Sequence, residues 1–366
     1  MNKYPIQNKE KLSKNYTVYD FQDNFDERAI KKAIKNSKDK MPLFYLSKIE
    51  IHPSGTCNQN CKICYGRFLA PEKRANLSSK DIKSLFFDIR KNMPDENPLI
   101  ILSGLYSEPL TNPEIKEILR YVGKYKFRYG LYTNGLLIDD EIIQILLKNS
   151  LNTQDNCSFI SFNVTSSLLS GDFEKLIQRM KRLSDKRKIE PNYRLQINAP
   201  ILILKPNYKY IKSIIKKLVA AGVDIVRLSI PWPQHIYNGK LTVKKTILNN
   251  DYKKTVELIE KLHENFPDKI KIRYDQSRKS FDNCYVMAMT SAISPEGDIY
   301  PCPETCSPFF SHLSYGNIKK NKFSEVWQGL KHQEIFKSLN PPKNGCVCCP
   351  VDLMFNKLCE NIYQNS

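Results

Sequence analysis

The sequence predicts a parallel α/β sheet curved into a partial (β/α)6 barrel of the TIM type, followed by a small cysteine-rich C-terminal domain. Three observations predict it. From residue 48 to 230, six extended apolar runs alternate with amphipathic helical stretches, as parallel strands joined by crossover helices do. Six units are too few to close an eight-stranded barrel, so the sheet is expected to curve without closing. Seven of the eleven cysteines fall after residue 283, beyond that alternation.

The strands are read in order as KIEIHP from Lys48, PLIILSG from Pro98, FRYGLYTNG from Phe127, CSFISFNV from Cys157, RLQINAPILIL from Arg194 and DIVRLSI from Asp224. Between the first two, SSKDIKSLFFDIRKNM places Ile82, Leu85, Phe86 and Ile89 on one helical stripe. The helix from Asn207 carries Ile211, Ile214, Ile215, Leu218 and Val219, and Gly222 stands where a C-terminal cap glycine belongs. A helix over Asp251–Phe266 and a strand near Lys271–Tyr274 lead to Cys284, after which a β-hairpin turns at PEGD. The expected divisions are a helical N-terminal arm or cap over 1–45, the barrel over 46–235, a connecting helix and strand over 236–283, and the cysteine-rich domain over 284–366.

The first residues, MNKYPIQNKEKLSKN, are polar and lack an apolar signal core, so a cytoplasmic chain is expected. The longest apolar run, APILIL at Ala199–Leu204, is far too short to span a bilayer. An odd number of cysteines in such a chain points to metal or redox chemistry rather than a disulfide framework. The net charge of +19 raises the question of nucleic acid. Yet stretches such as YIKSIIKKLVAAG put their lysines opposite an apolar stripe, and neither an RNP-type aromatic motif nor a finger pattern occurs. The charge is read as serving an anionic substrate or a solvated surface. A non-enzymatic, metal-stabilised RNA-binding module stays as the reading from another class.

SGTCNQNCKICYG follows the first predicted strand and spaces Cys57, Cys61 and Cys64 as Cys-x3-Cys-x2-Cys. A loop there lies at the C-terminal edge of the sheet, where such folds carry their chemistry. Thiolates bind iron–sulfur clusters or zinc. Three of them on a four-iron cluster leave one iron open; a zinc site would need a further ligand such as His52, and spacing alone allows both.

This motif, opening a six-unit βα domain, resembles the radical S-adenosylmethionine (SAM) enzymes over roughly residues 46–235. The resemblance implies a 4Fe–4S cluster on Cys57, Cys61 and Cys64 whose open iron chelates SAM. It implies reductive cleavage of SAM to a 5′-deoxyadenosyl radical that abstracts a substrate hydrogen, with electrons from a flavodoxin- or ferredoxin-type donor. One departure is Ile63, where the family often has an aromatic residue. LSGLYSEPLTNPE resembles the family's Gly-Gly-Glu-Pro stretch, which places Glu108 at the SAM ammonium, a contact of the right sign. Ser107 and the longer lead-in depart from that pattern. Asn134 in YTNG and Ser161 in SFNV are implied as ribose or carboxylate contacts, with Asn198 on the fifth strand beside them.

The order Cys284, Cys302, YGNI, FSEVW and CVCC resembles the SPASM and Twitch extensions of radical SAM enzymes, which hold auxiliary 4Fe–4S clusters. Cys346, Cys349 and Cys359 fit three places of the full SPASM pattern, but Phe355 occupies another. The shorter Twitch version needs two pairs, which Cys284 with Cys302 and Cys346 with Cys349 supply; Cys306, Cys348 and Cys359 are spare or substitute ligands. Zinc suits four thiolates in two pairs equally well. One auxiliary cluster implies a net oxidation or cross-link, of a ribosomally made precursor peptide or of a small molecule such as a sugar or aminocyclitol. Tyr237, Arg273, Asp275 and Cys306 are polar groups near the expected substrate mouth.

Overall fold

A computed structural model describes residues 45–61, 63, 64, 66, 69–151, 158–189, 193–229, 236, 237, 240, 241, 252–273 and 284–338. The predicted arm, apart from Tyr45, lies outside these residues, as do Cys157, Asp275, Cys346, Cys348, Cys349 and Cys359.

The barrel part runs β1 (Lys48–Ile51), α1 (Ser79–Asn92), β2 (Leu99–Leu102), α2 (Ile115–Lys124), β3 (Tyr129–Thr133), α3 (Asp140–Leu151), β4 (Ser158–Phe162), α4 (Val164–Ser170), α5 (Phe173–Ile189), β5 (Leu195–Leu202), α6 (Ile211–Ala220) and β6 (Ile225–Ser229). Next come β7 (Ile236–Tyr237) and β8 (Lys240–Leu241), a separate antiparallel pair, then α7 (Tyr252–Asn265) and β9 (Ile270–Arg273). The C-terminal part holds β10 (Thr290–Ile293), β11 (Asp298–Tyr300), β12 (Gly316–Asn317), α8 (Phe323–Val326) and α9 (Leu330–Ser338).

Local chemistry sets several of these boundaries. Ser78 and Asp81 form a reciprocal capping box at the start of α1, whose Ile82, Leu85, Phe86 and Ile89 are buried as the stripe requires. At the end of α6, Val223 N donates to Leu218 O and Gly222 N to Val219 O. That pattern needs the left-handed backbone Gly222 adopts at φ +85°. β2 is buried throughout its LIIL run, whereas β5 alternates buried and half-buried residues, Gln196 and Asn198 among the half-buried ones.

Among the described residues one sheet has the order β12-β11-β10-β1-β2-β3-β4-β5-β6-β9. The six predicted parallel strands are its centre, in sequence order. The sheet extends past them on both sides. β9 pairs parallel with β6, Arg227 opposite Lys271 and Ser229 opposite Arg273. β10 pairs parallel with β1, Lys48 opposite Thr290 and Ile51 opposite Ile293, and starts the hairpin that turns at Gly297. The cysteine-rich part is therefore bonded to the first barrel strand through its backbone. Side chains add to the junction: Ser324 donates from N and Oγ to the Asp88 carboxylate at 2.8 and 2.9 Å, and Ser307 Oγ donates to Leu69 O at 2.6 Å. No helix among the described residues is long and apolar enough to cross a membrane.

Candidate functional site

The chain leaves β1 at His52 and Pro53, and Gly55 N donates to Ala75 O at 2.8 Å. A side chain on Gly55 would strike the Ala75 backbone, so only glycine fits this crossing. Thr56 O then accepts from Glu108 N at 2.9 Å and from Thr111 Oγ1 at 2.9 Å, which fixes the root of the cysteine loop to the loop after β2. Cys57 is exposed, Cys61 and Cys64 are half-buried, and all three are free thiols. Gln59 lies among them: its N–H donates to Cys57 Sγ at 3.4 Å and its Oε1 accepts from Cys61 Sγ at 3.7 Å. Burial, Cys64 and Cys57 push the Cys61 thiol up to about 11. Burial likewise raises Cys57, with Glu108 and Cys64 adding to it. Ionised together, the three thiolates and the carboxylate would repel one another, which a cationic guest relieves. Among the described residues no three of His, Cys, Asp and Glu converge on a single-ion site. The donor set fits a multi-iron cluster, which spreads its thiolates wider than an ion with thiolate bonds of about 2.3 Å does.

Glu108 is buried beside this loop. Its Oε1 accepts from Leu110 N at 3.2 Å and Thr133 Oγ1 at 2.5 Å, and its Oε2 from Asn134 N at 2.7 Å. Burial nevertheless pushes the carboxyl up to about 7. A carboxylate offers about four acceptor positions, so one stays open for a further donor. Asn134, at the end of β3, donates from Nδ2 to Asn58 Oδ1 at 2.7 Å and accepts at Oδ1 from Leu136 N at 3.0 Å. Ser161 stands opposite Tyr132 on one side and Asn198 on the other, so the three form one rung across β3, β4 and β5. Asn198 Nδ2 donates to Gln196 Oε1 at 3.1 Å, while its Oδ1 is buried without a partner. An orphaned acceptor beside a serine suits a hydroxyl-bearing guest.

His52 stands on the sheet face of Lys48 and Glu50, its Nε2 3.7 Å from Glu50 Oε1. Ser103 Oγ donates to Glu50 Oε1 at 2.6 Å, and Lys48 Nζ lies 3.8 Å from Oε2. Burial alone would raise Glu50, but His52, Lys48 and Ser103 outweigh it and hold the carboxyl below its ordinary range. Of the C-terminal thiols, Cys284 is buried at the start of a 3-10 turn over Tyr285–Ala288, and Cys302 Sγ lies 3.7 Å from Thr305 Oγ1. Cys306 is fully buried; burial raises its thiol well above the ordinary value, with Glu50, Glu296, Cys302 and Asp298 adding to it. Tyr237 pairs with Lys240 in the short β7–β8 ribbon, and Arg273 ends β9 opposite Ser229.

The motif reading missed Asn58, Gln59 and Thr133, which hold the loop and Glu108 in place. Alternation along KIEIH would have placed Lys48, Glu50 and His52 on one face. No sequence signal links Asn58 to Asn134, 76 positions away.

Residues 51–167 match the family model of the radical SAM superfamily, and residues 284–350 match that of SPASM, an iron–sulfur cluster-binding domain. The tungsten-containing aldehyde ferredoxin oxidoreductase cofactor-modifying protein of Pyrococcus furiosus is 22% identical over 302 residues, 75% of this chain and 79% of that one. AdoMet-dependent heme synthase of Methanosarcina barkeri is 25% identical over 344 residues, 83% and 87% of the two chains. The antilisterial bacteriocin subtilosin biosynthesis protein AlbA of Bacillus subtilis is 22% identical over 311 residues, 84% of this chain and 65% of that one. In fold, the chain is similar to Streptococcus suis SuiB, in a structure bound to S-adenosylmethionine, with a TM-score of 0.61, 16% identity and coverage of 87% of this chain and 73% of that one. The chain thus carries a radical SAM domain, matched over residues 51–167, and a C-terminal SPASM domain, matched over residues 284–350, two domains that imply 4Fe–4S clusters and SAM as its cofactors.

Proposed function

We propose that this enzyme carries out a net oxidation or cross-linking of a ribosomally made peptide, as a radical SAM maturase. The observation that carries the radical chemistry is the loop after β1, where Cys57, Cys61 and Cys64 share one electrostatic environment with the buried Glu108. When bound, the cluster and SAM together supply a 5′-deoxyadenosyl radical that takes a hydrogen from the substrate. Cys57, Cys61 and Cys64 hold that cluster. Glu108 offers its open acceptor position to the SAM ammonium, and Ser161 and Asn198 offer a hydroxyl and an orphaned carbonyl to its ribose. Asn134 keeps one amide hydrogen for the same guest. Cys284, Cys302, Cys346 and Cys349 hold one auxiliary 4Fe–4S cluster, with Cys306, Cys348 and Cys359 in reserve. A flavodoxin- or ferredoxin-type protein supplies electrons.

The peptide is favoured by the name of AlbA, a bacteriocin biosynthesis protein, and by SuiB, whose fold is also known bound to the precursor peptide SuiA. A charge of +19 suits an acidic leader. Arg227 and Lys271 lie side by side at the β6–β9 edge and suit it too. A second reading, oxidation of a small molecule, is favoured by the heme synthase relative.

Anaerobic iron and sulfide analysis tests the cluster assignment. Two four-iron clusters give about eight irons per chain. About twelve, or about four with one zinc, would overturn the single auxiliary cluster. A colourless protein that does not cleave SAM when reduced would leave only the RNA-binding reading. For the substrate, 5′-deoxyadenosine formation is measured with peptide and small-molecule fractions of a cell extract. Stimulation by the small-molecule fraction alone overturns the peptide.

A further inference from the structure

The segment between Cys57 and Cys61 has to hold its thiolates in place while most of it faces solvent: Asn58 and Asn60 are exposed and Gln59 is half-buried. Two side-chain bonds reach into it from the body of the barrel. Gln59 Nε2 donates to Ser170 Oγ at 3.2 Å, and Ser170 is itself bonded to Asp172. Asn134 Nδ2 donates to Asn58 Oδ1 at 2.7 Å.

The two bonds differ in what stands behind them. Ser170 is the last residue of α4, and its partner Asp172 is an exposed-side acid also paired with Lys175. Asn134 is 5% exposed and is fixed from two sides. Its backbone N–H is held by Glu108 Oε2, whose other oxygen is held by Thr133 Oγ1 and Leu110 N. Its side-chain Oδ1 is held by Leu136 N. That last bond settles the amide's orientation, because a backbone N–H needs an acceptor, so the NH2 group must face Asn58. Asn58 can then only accept.

We infer that Asn134 is a positioning residue of the cluster loop: it transmits the fixed geometry of Glu108 and the end of β3 to Asn58, and so sets where the thiols stand before any cluster is bound. The assignment rests on the radical SAM reading for its purpose but not for its geometry. One unbroken chain of hydrogen bonds runs Glu108–Asn134–Asn58 and ends one residue from Cys57. The backbone bond from Glu108 N to Thr56 O closes it from the other side of Cys57. The carboxylate proposed to receive SAM and the loop proposed to hold the cluster are thus registered to each other through Asn134.

Because Asn134 is fixed as the donor, two substitutions at Asn58 separate the bond from its surroundings. Asn58→Asp keeps the acceptor and leaves the bond intact, whereas Asn58→Leu removes the acceptor without charge. Asn134→Asp keeps the acceptor for Leu136 N and removes the donor to Asn58, and joined to Asn58→Asp it leaves no bond, because the second carboxylate cannot turn to donate in return as an amide would.

Backbone hydrogen–deuterium exchange over residues 57–64 in the cluster-free full-length protein reads the loop directly. Loss of one such bond corresponds to roughly a three- to tenfold faster exchange. That is expected for Asn58→Leu and for the double variant Asn134→Asp/Asn58→Asp, while Asn58→Asp alone stays within twofold of the parent. After anaerobic reconstitution, the first two should give a broadened electron paramagnetic resonance signal of the reduced cluster and a weaker change on adding SAM, with C-terminal iron unaltered. Equal exchange in the double variant and in Asn58→Asp alone, whether both fast or both slow, overturns the positioning role. If exchange follows the expected order but the parent binds no iron at Cys57, Cys61 and Cys64, the tether stands and the radical SAM reading of this loop falls.

Discussion

Lowering the pH should loosen the C-terminal domain through one side chain, His332. It is fully buried on α9, stacked on Tyr315 with ring centroids 4.2 Å apart and 4.7 Å from the Trp327 ring. Nδ1 accepts from Gln328 N at 3.2 Å, so Nε2 carries the proton and donates to Met287 O at 3.1 Å. Every polar atom of the neutral ring is used, and burial lowers its pKa to about 4. In the unfolded chain the ring titrates near 6.5. Between these values the unfolded state binds the extra proton, so this contribution to stability is complete above pH 6.5 and declines as pH falls towards 4. Linkage gives a loss of about 2 kcal/mol between pH 7 and pH 5 from this ring alone. His332→Gln keeps an acceptor and a donor but does not titrate. Thermal melts of parent and variant, run side by side under anaerobic conditions at pH 7 and pH 5, isolate the term, since every other acid-sensitive group is common to both. The parent should lose about 2 kcal/mol more than the variant over that interval. Parallel losses would refute the assignment of a neutral, proton-excluding ring.

Cys61→Ala should abolish 5′-deoxyadenosine formation while C-terminal iron persists; continued formation would remove the loop after β1 from the chemistry. Glu108→Gln should weaken SAM binding about tenfold or more, as expected for loss of a buried charge-assisted contact, at constant iron content. Because the Glu108 carboxyl is raised to about 7 and must ionise to meet an ammonium, parent SAM affinity should improve as pH rises through 7, and the Gln variant should show no such step. Equilibrium binding across pH 6 to 8 reads both. Gly130 lies against the Phe159 ring, which a Cβ would strike; Gly130→Ala should cost about 1–3 kcal/mol, seen as a lowered melting temperature.

The barrel was legible because its strands announce themselves locally. KIEI, LIIL, YGLYT, SFISF, LQINAPIL and IVRLS all lie inside the runs picked out by apolar content. What periodicity could not show is the attachment of β9 and β10 to the two sides of that sheet. TSAI and IKIR are four residues each, and strand order is decided by partners more than two hundred positions apart in the case of β1 and β10. The site divides in the same way. Three cysteines within eight positions are a local signal, and Glu108 follows from its motif. The bonds Glu108 makes to Thr133 and Asn134 depend on β2 and β3 being neighbours, which no local pattern states. Asn134, expected from its motif to meet the cofactor, also gives its carbonyl and one amide hydrogen to the protein, contacts that the motif does not announce.

The parallel pairing of β10 with β1 makes the C-terminal domain indispensable to the barrel as a particle in solution. A chain cut before Cys284 would leave the outer backbone of β1 bare from Lys48 to Ile51, along a strand whose Ile49 and Ile51 are core residues, with unpaired N–H and C=O groups. Such an edge recruits other strands, so a shortened barrel would self-associate instead of serving as a minimal enzyme. Genetic truncations of this protein would then read out as insolubility rather than as loss of one cluster, and point substitutions are the cleaner route to dissecting its two halves.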